Sequence, residues 1–199
     1  MKIGIFGGTF DPPHIGHQIL AAEALDQGNL DFVYWVLTPD PPHKTTQKIT
    51  SLSERISMVE LAIEGNPNFI LSRVDIDRSP PYYAVDTVSI LKSQAPLDDF
   101  FYLMGMDSLN DLLTWHMPAD FVRRCKGIIV MYRRGESMDI LRLEAEIPGL
   151  ARKLKFLKTP TIEVSSTDIR ERIRKGVQYR YFVPDKVSQF IINCKLYAS

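Results

Sequence analysis

Two histidines and a threonine near the start of the chain are of the types that bind phosphate. His14 and His17 are three residues apart, so they share one face of a helix that begins there. Gly7 and Gly8 let an anion approach backbone N–H groups, and Thr9 adds a hydroxyl. Together these residues predict a phosphate site faced by two imidazoles.

A strand and a helix must position these groups. Residues 2–6 form a short apolar run that is typical of a buried strand. Asp11, followed by Pro12 and Pro13, is typical of a helix start, so we expect a helix to begin near His14. Its N-terminal N–H groups would then point at the space above the strand. A glycine pair alone indicates only a turn, and paired histidines are often ordinary residues; the combination favours the phosphate site.

A second cluster of hydroxyl groups lies far along the chain. Ser165, Ser166 and Thr167 precede a predicted helix, and Ser165 and Asp168 have the spacing of a capping box. Arg170 is expected inside the first turn of that helix, and a guanidinium can bind two phosphate oxygens at once. An ordinary capped surface helix would explain the capping box. It would not explain why the same chain also carries a Gly–Thr turn suited to phosphate near its start. We therefore expect both clusters to meet at one phosphate site.

The rest of the chain alternates apolar segments with amphipathic ones. This alternation predicts an α/β fold: a Rossmann-like, doubly wound sheet with mainly parallel central strands and helices on both faces. Further strands are predicted at 31–37, 69–77, 100–104 and 127–132, and helices at 14–27, 51–65, 83–94 and after Ser165 and Pro184. With 199 residues, we expect one domain, 1–199, in which residues 160–199 complete the phosphate site.

Loops after the predicted strands carry further candidates. Lys44 follows the second strand in a proline-rich loop, where it could meet a phosphate or remain a solvated lysine. Gly105 and Asp107 follow the strand at 100–104, where the carboxylate could accept hydrogen bonds from a ribose or cap the next helix. Trp115 is by default a core aromatic. These alternatives stay open from the residues alone.

Composition narrows the classes of partner. The net charge is zero, with 7 basic and 13 acidic residues in positions 1–100 against 17 and 11 in the remainder. A nucleic-acid binder usually shows a basic excess over the domain, whereas a small anion needs only a few cations, so we expect no nucleic-acid partner.

No stretch reaches the length of a membrane span, and no cleavage pattern follows the N-terminus. We expect a cytoplasmic protein without a membrane partner; a homo-oligomer is left open.

Residues 138–158 and the two cysteines are the least informative. Four basic residues there are interpreted as a solvated edge: Arg152, Lys153, Lys155 and Lys158. Cys125 and Cys194 lack the spacing of metal ligands, so we expect reduced, structural thiols.

The motifs also resemble a known family. GGTFDPPHIGH, at 7–17, is similar to the signature of nucleotidylyltransferases, whose core is a His-x-Gly-His tetrad, here His14 to His17. Its longer form, with Phe10 and two prolines, resembles the bacterial nicotinate mononucleotide adenylyltransferases. SSTDIR at 165–170 is similar to the family's SSTxIR motif, which binds the phosphates of ATP. The segments PPHK and VPDKV are also similar to segments of this family. The resemblance covers essentially the whole chain.

The resemblance implies roles for individual residues. It implies catalytic roles for His14, His17, Lys44 and Arg170. It implies ATP binding by Gly7, Gly8, Thr9, Phe10, His17, Gly105, Asp107, Ser165, Ser166, Thr167 and Arg170. It implies nicotinate mononucleotide binding by Thr9, His14, Lys44, Thr87, Trp115, His116 and Arg133, with no dedicated metal ligands. Arg134 departs from the family's Arg-Pro-Gly and makes the conformation of that loop an open question.

These residue types suit nucleotidyl transfer. No acid, Ser or Cys is placed as an activated nucleophile, but an attacking phosphate is already ionised and needs no general base. The protein must hold the reactants in line and neutralise charge, with Mg²⁺ bridging the polyphosphate. The resemblance implies transfer of AMP from ATP to nicotinate mononucleotide, giving deamido-NAD and pyrophosphate in NAD biosynthesis.

Three alternatives remain for the function. Nicotinamide mononucleotide or phosphopantetheine could be the acceptor, although Trp115 and Thr87 favour a pyridine. A nucleotide-sensing module without catalysis is the alternative from another class, against which the intact His14, His17 and Arg170 argue. A dehydrogenase is disfavoured, because the first loop lacks G-x-G-x-x-G.

Overall fold

The computed structural model describes residues 1–40, 49–131, 138–159 and 163–198. Within them, six parallel strands form one sheet in the order β3-β2-β1-β4-β5-β6. The strands are β1 (Lys2–Gly8), β2 (Phe32–Leu37), β3 (Phe69–Ser72), β4 (Asp99–Gly105), β5 (Gly127–Met131) and β6 (Leu154–Leu157). The sheet confirms the predicted Rossmann-like α/β fold.

Helices connect and cover these strands. They are α1 (Ile15–Gly28), α2 (Leu52–Ile63), α3 (Ala84–Gln94), α4 (Met106–Asn110), α5 (Pro118–Arg124), α6 (Ile140–Glu146), α7 (Ser166–Arg174) and α8 (Asp185–Asn193). Short 3₁₀ turns lie at Leu112–Thr114, Ala151–Lys153 and Arg180–Phe182. No helix in the described part of the chain is long and apolar enough to cross a membrane.

The centre of the sheet is the point where the strand order reverses. β1 pairs with β2 on one side and with β4 on the other, and Phe6 lies opposite both Trp35 and Leu103. Since all three strands are parallel, their carboxyl ends meet at one edge. Open α/β sheets bind ligands at this edge, next to such a switch point.

Buried residues on β1 divide the core between the two faces. Ile3 and Ile5 pack with residues of α3 and α5, and Phe6 packs with residues of α1 and α2 on the opposite face. A third cluster joins Met58 of α2 to Ile169 of α7 and to the apolar face of α8. Helix α7 is therefore anchored on α2, with its N-terminus near the start of α1.

The start of α1 confirms the predicted position but not the predicted role of Asp11. The helix begins at Ile15 with His14 as its N-cap, as expected near His14, but Asp11 is not the capping residue. The Asp11 side chain is only 3% exposed; it accepts a hydrogen bond from the Tyr197 hydroxyl, at 2.6 Å. A carboxylate with a partner 186 residues away is part of the tertiary structure and not a local cap.

Two further segments correct the sequence analysis. The pattern predicts a strand to Asp77, but β3 ends at Ser72, and the chain then turns so that the Asp77 N–H donates to the Arg73 carbonyl oxygen. Strand β6 lies within residues 138–158, where the pattern indicates no element. An edge strand of four residues, one of them Lys155, has too weak an apolar alternation to be recognised.

The basic residues of 138–158 are also not simply a solvated edge. Lys153 Nζ donates to the carbonyl oxygens of Val122, at 2.8 Å, and Cys125, at 2.7 Å. Both carbonyls lie at the C-terminal end of α5, where a cation is favourable. Lys153 therefore joins β6 to α5.

Candidate active site

A cleft of about 1230 Å³ opens at the carboxyl edge of the sheet, above β1 and β4. Its lining comes from the turn after β1, the start of α1, the segment before α3, the β4–α4 junction and the start of α7. It includes these predicted site residues: Gly7, Gly8, Thr9, His14, His17, Gly105, Asp107, Trp115, His116, Ser165, Ser166 and Thr167. The two motifs near opposite ends of the chain thus share one cavity.

The turn after β1 presents its backbone to the cleft. A β-carbon on Gly7 would lie 2.5 Å from the Tyr102 hydroxyl oxygen, and one on Gly8 would lie 2.8 Å from the Phe10 ring, so neither position has room for a side chain. The Phe10 ring itself is 2% exposed and packs on Trp35, with centroids 5.1 Å apart. The structure therefore places the Phe10 side chain in the core and not in the cleft, and a contact of Phe10 with ATP stays a prediction.

The two histidines are held together at the start of α1. The His14 backbone N–H donates to Nδ1 of His17, at 3.0 Å, and the two rings stack with centroids 3.5 Å apart. Because Nδ1 of His17 accepts a hydrogen bond, the neutral ring carries its proton on Nε2. Gly16 is required beside them, since a β-carbon there would lie 3.1 Å from the His14 ring. Within the His14–His17 tetrad, the Nε2–H of His17 is thus a donor on a ring whose position is fixed.

The N-terminus of α7 forms the adjoining part of the cleft. The Ser165 side chain accepts from the Asp168 N–H, at 3.1 Å, as the capping-box spacing predicts. Ser166 Oγ donates to the Pro12 carbonyl oxygen, at 2.9 Å. The hydroxyls and first N–H groups of α7 are thereby fixed near the start of α1, and a helix N-terminus of this kind favours phosphate.

Arg170 lies behind this surface. Its side chain is buried in the second turn of α7, not the first, and it is not among the lining residues described for the cleft. Its guanidinium donates to the Asp11 carbonyl oxygen, at 2.8 Å, and to Thr167 Oγ1, at 3.2 Å. In this structure Arg170 joins the two motifs through protein contacts, which differs from the expected direct contact with phosphate.

Aromatic rings form the opposite side of the cleft. The Tyr83 ring stacks on His116 with centroids 4.1 Å apart, and Trp115 packs edge-on against Tyr102. We call Tyr83, Trp115 and His116 the aromatic wall. Burial raises the pKa of the Tyr102 phenol well above its usual range, so that hydroxyl stays protonated near neutral pH. Flat rings beside polar groups suit a flat heterocycle that carries charged substituents.

Thr87 belongs to a hydrogen-bond network next to the aromatic wall. The side chain is buried, is not among the described lining residues, and donates from Oγ1 to Asp75 Oδ1, at 2.8 Å. Asp75 also pairs with Arg78, at 2.9 Å, and Arg78 Nη1 donates to the Pro81 carbonyl oxygen, at 2.6 Å. Thr87 therefore belongs to a hydrogen-bond network that holds the segment before Tyr83, and its contact with the nicotinate stays a prediction.

A buried arginine joins the loops on the phosphate side. Arg55 of α2 is 2% exposed and donates to the carbonyl oxygens of Thr9, at 3.1 Å, and Thr38, at 2.9 Å. It also donates to the carbonyl oxygens of Pro39 and Thr50, on either side of the segment 41–48. Burial lowers its pKa, and the negative charge of Asp11 partly opposes that shift.

Comparisons with known proteins identify the family. The cytidylyltransferase-like family matches residues 5–172. Nicotinate-nucleotide adenylyltransferase of Bacillus subtilis (strain 168) is 38% identical over 198 residues, which cover 100% of this chain and 99% of that protein. The chain belongs to the cytidylyltransferase-like family and, within it, to the nicotinate-nucleotide adenylyltransferases. The resemblance inferred from the motifs is therefore confirmed.

Solved structures share the fold of this adenylyltransferase. Plasmodium falciparum nicotinic acid mononucleotide adenylyltransferase complexed with NaAD matches with a TM-score of 0.79 and 19% identity, over 98% of this chain and 97% of that one. The same Plasmodium protein complexed with APC matches with a TM-score of 0.78 and 19% identity, over 98% and 96%. At this identity the likeness establishes the fold.

Two predicted site residues of the adenylyltransferase, Lys44 and Arg133, lie outside the described residues, as do His43 and Arg134. Their assigned roles stay predictions. Conversely, four described residues at or beside the cleft escape the sequence analysis: Arg55, Asp75, Tyr83 and Tyr102. Only Arg55 gives a local signal, since a charge on the apolar face of α2 is unusual.

Proposed function

We propose that this chain transfers AMP from ATP to nicotinate mononucleotide, giving deamido-NAD and pyrophosphate. The observation that carries the proposal is the convergence of His14, His17 and the N-terminus of α7 on one cleft. The names of the relatives support the choice of acceptor, as does the Plasmodium falciparum adenylyltransferase of the same fold, which is complexed with NaAD. The aromatic wall supports a pyridine ring in the other half of the cleft.

The reaction needs no activated side chain. An oxygen of the acceptor's phosphate attacks the α-phosphorus of ATP, the bond to the bridging oxygen breaks, and pyrophosphate leaves with that electron pair. The attacking phosphate is largely ionised near neutral pH, so no proton has to be removed. The protein therefore contributes alignment of the two phosphates and compensation of the developing negative charge.

The described residues supply those contributions. His17 lines the cleft, and we assign its Nε2–H as a donor to the phosphates; His14 stacks against its ring. The turn of Gly8 and Thr9 and the first residues of α7 present backbone N–H groups and hydroxyls. Lys44 adds a cation in this proposal, and Arg133 contributes on the acceptor side. We infer that residues 1–199 act as one domain, with 160–199 completing the ATP site.

Magnesium enters this proposal with the triphosphate. Within the described residues, no group of three or more His, Cys, Asp or Glu side chains is arranged to hold a metal ion. In the proposal, Mg²⁺ would be held mainly by phosphate oxygens and water, a common arrangement for this ion. When bound it would neutralise charge on the polyphosphate. We propose that the reaction runs in the cytoplasm.

A direct assay tests the acceptor. Purified protein is mixed with ATP, Mg²⁺ and one of three acceptors, nicotinate mononucleotide, nicotinamide mononucleotide or phosphopantetheine, and pyrophosphate release is followed. We expect the highest kcat/KM with nicotinate mononucleotide. A higher value with another acceptor would overturn the assignment, and no release with any acceptor would favour a nucleotide-binding module.

A variant of His17 tests the site in the same assay. Gln at position 17 can keep the cap on the His14 N–H through its amide oxygen but does not reproduce the imidazole Nε2–H. We expect His17→Gln to keep the melting temperature and to lower kcat by about 10²- to 10³-fold, as for removal of one transition-state donor. ATP affinity should change little. Near-normal turnover would refute the role of His17.

A further inference from the structure

Tyr197, near the end of the sequence, contacts the loop that carries the catalytic histidines. Its hydroxyl donates to Asp11 Oδ1, at 2.6 Å, across 186 residues of sequence. Its backbone φ is 64°, in the left-handed region that residues with a side chain seldom adopt. The chain reverses at this point after α8, and the Tyr197 hydroxyl lies beside Asp11 and 3.9 Å from the sulfur of Met58 in α2.

Asp11 is the point at which several elements meet. Its carboxylate is 3% exposed, and its second oxygen accepts from the Thr50 N–H, at 3.3 Å. Its backbone carbonyl accepts from Arg170, at 2.8 Å. A buried carboxylate is costly unless its oxygens are hydrogen-bonded, so each of these donors determines where Asp11 can lie.

Arg55 approaches the same point from α2. Its guanidinium binds the Thr9 carbonyl oxygen, two residues before Asp11, and the Thr50 carbonyl oxygen, whose residue also donates to Asp11. Its positive charge acts on the Asp11 carboxylate without a described hydrogen bond between them. We call Asp11, Arg55 and Tyr197 the Asp11 junction.

We propose that Tyr197 is a positioning residue for nucleotidyl transfer, which it serves by fixing Asp11 and hence the turn from Thr9 to His14. The inference rests on the proposed function. No member of the Asp11 junction is among the described residues that line the cleft, so Tyr197 acts through the turn and not by touching substrate. No described hydrogen bond or ring contact joins the junction to Tyr83 or Trp115, so the aromatic wall is independent of it.

Removal of the Tyr197 hydroxyl alone should therefore lower kcat while the KM for the acceptor changes little. Tyr197→Phe keeps a ring in the apolar cluster that contains Met58 but leaves Asp11 Oδ1 without this donor. Because a displacement of about 1 Å in a catalytic group can cost about 10²-fold, a smaller shift of the turn should lower kcat by about tenfold. The KM for the acceptor should stay within about twofold, because most of the acceptor contacts are assigned to the aromatic wall, although Thr9 and His14 of the turn are also predicted to contact it.

The test compares Tyr197→Phe with Tyr181→Phe, a control at a tyrosine that is 73% exposed in the Arg180–Phe182 turn. Steady-state rates are expressed per folded protein, with the folded fraction measured by circular dichroism. A drop in kcat in Tyr197→Phe alone, with an unchanged acceptor KM, supports the proposal. An unchanged kcat, or equal effects in both variants, overturns it.

A second measurement separates this inference from the proposed function. Amide hydrogen exchange of peptides spanning 8–16 should become faster in Tyr197→Phe and not in Tyr181→Phe, whatever reaction the protein catalyses. If the unmodified protein releases no pyrophosphate, the proposed reaction fails, while faster exchange still supports the positioning of the turn by Tyr197. Unchanged exchange in these peptides overturns the inference.

Discussion

Ser166 Oγ donates a hydrogen bond to the carbonyl oxygen of Pro12 at 2.9 Å, although 154 residues separate them in sequence. Beside it, Arg170 donates to the carbonyl oxygen of Asp11. Two backbone carbonyls that would otherwise lack partners near the start of α1 are thus satisfied by one turn of α7. The relative position of the two phosphate-binding motifs is therefore fixed by direct hydrogen bonds as well as by the packing of α7 on α2.

Ser166→Ala should weaken this connection. Loss of one partly buried hydrogen bond costs about 0.5–1.5 kcal/mol, so we expect kcat/KM for ATP to fall by about threefold to tenfold. The KM for the acceptor should change less, because the aromatic wall does not contact α7 in the described structure. Steady-state kinetics measure both constants. Ser53→Ala is the matched control, since Ser53 lies on the exposed face of the α2 start; a similar fall in that variant would argue against the connection.

Thr87→Val should affect the opposite half of the cleft. Valine has the shape of threonine but cannot donate to Asp75, which is buried and keeps only its pairing with Arg78. We expect the acceptor KM to rise about tenfold, equivalent to about 1.4 kcal/mol, with little change in the KM for ATP.

A double-mutant cycle decides how Thr87 acts. If Thr87 works through Asp75, then Asp75→Asn and Thr87→Val should be strongly non-additive. Additive effects would instead indicate that Thr87 contacts the acceptor directly, as the family resemblance implies. Ser89→Ala is the control within α3, because Ser89 Oγ bonds only to its own helix, at the Val85 carbonyl oxygen.

Local pattern explains which parts of the molecule are predictable. Strands β1 to β5 and helices α1 to α3, α7 and α8 follow from apolar periodicity, whereas α5 and α6 are missed. His14, His17 and Ser165–Thr167 follow from motif spacing, because each of these signals spans only a few residues. The edge strand β6 is missed, since its four residues are half exposed and do not alternate. The fold class therefore follows from the sequence, while its least buried strand does not.

The connections beneath the site are not predictable in the same way. Arg55, Asp75 and Tyr197 act on partners that lie 46, 12 and 186 residues away, and nothing in their immediate sequence indicates those partners. The same limitation affects Arg170, whose motif suggests a phosphate ligand but whose described contacts are with the protein. Spacing identifies residues that surround a ligand, whereas the network supporting them depends on the folded chain.

Arg55→Met should destabilise the protein strongly. The substitution keeps most of the apolar stem but leaves several partly buried carbonyl oxygens without their donor, among them those of Thr9 and Thr38. We expect a loss of about 3 kcal/mol in the free energy of unfolding, measured by urea denaturation, because each unsatisfied buried group costs about 1–3 kcal/mol. Arg73→Met is the control: Arg73 forms an exposed pair with Asp77, which should contribute about 0–1 kcal/mol. Equal losses in the two variants would contradict the role of Arg55.

Glu144 makes the pH dependence of stability testable. Its carboxylate accepts from the backbone N–H groups of Ala151, at 2.7 Å, and Gly149, at 2.6 Å, and these bonds lower its pKa below the usual value of 4.5. A group whose pKa is depressed on folding stabilises the native state above its unfolded pKa, and that contribution is lost as the pH falls through the folded pKa. Glu144→Gln should therefore be less stable than the unmodified protein near neutral pH, and the difference should shrink below about pH 4.5.

Urea unfolding at several pH values, with Glu146→Gln at an exposed position of the same helix as control, measures this convergence. A difference that stayed constant down to acid pH would show that Glu144 acts through packing, because only an ionised carboxylate loses its advantage on protonation.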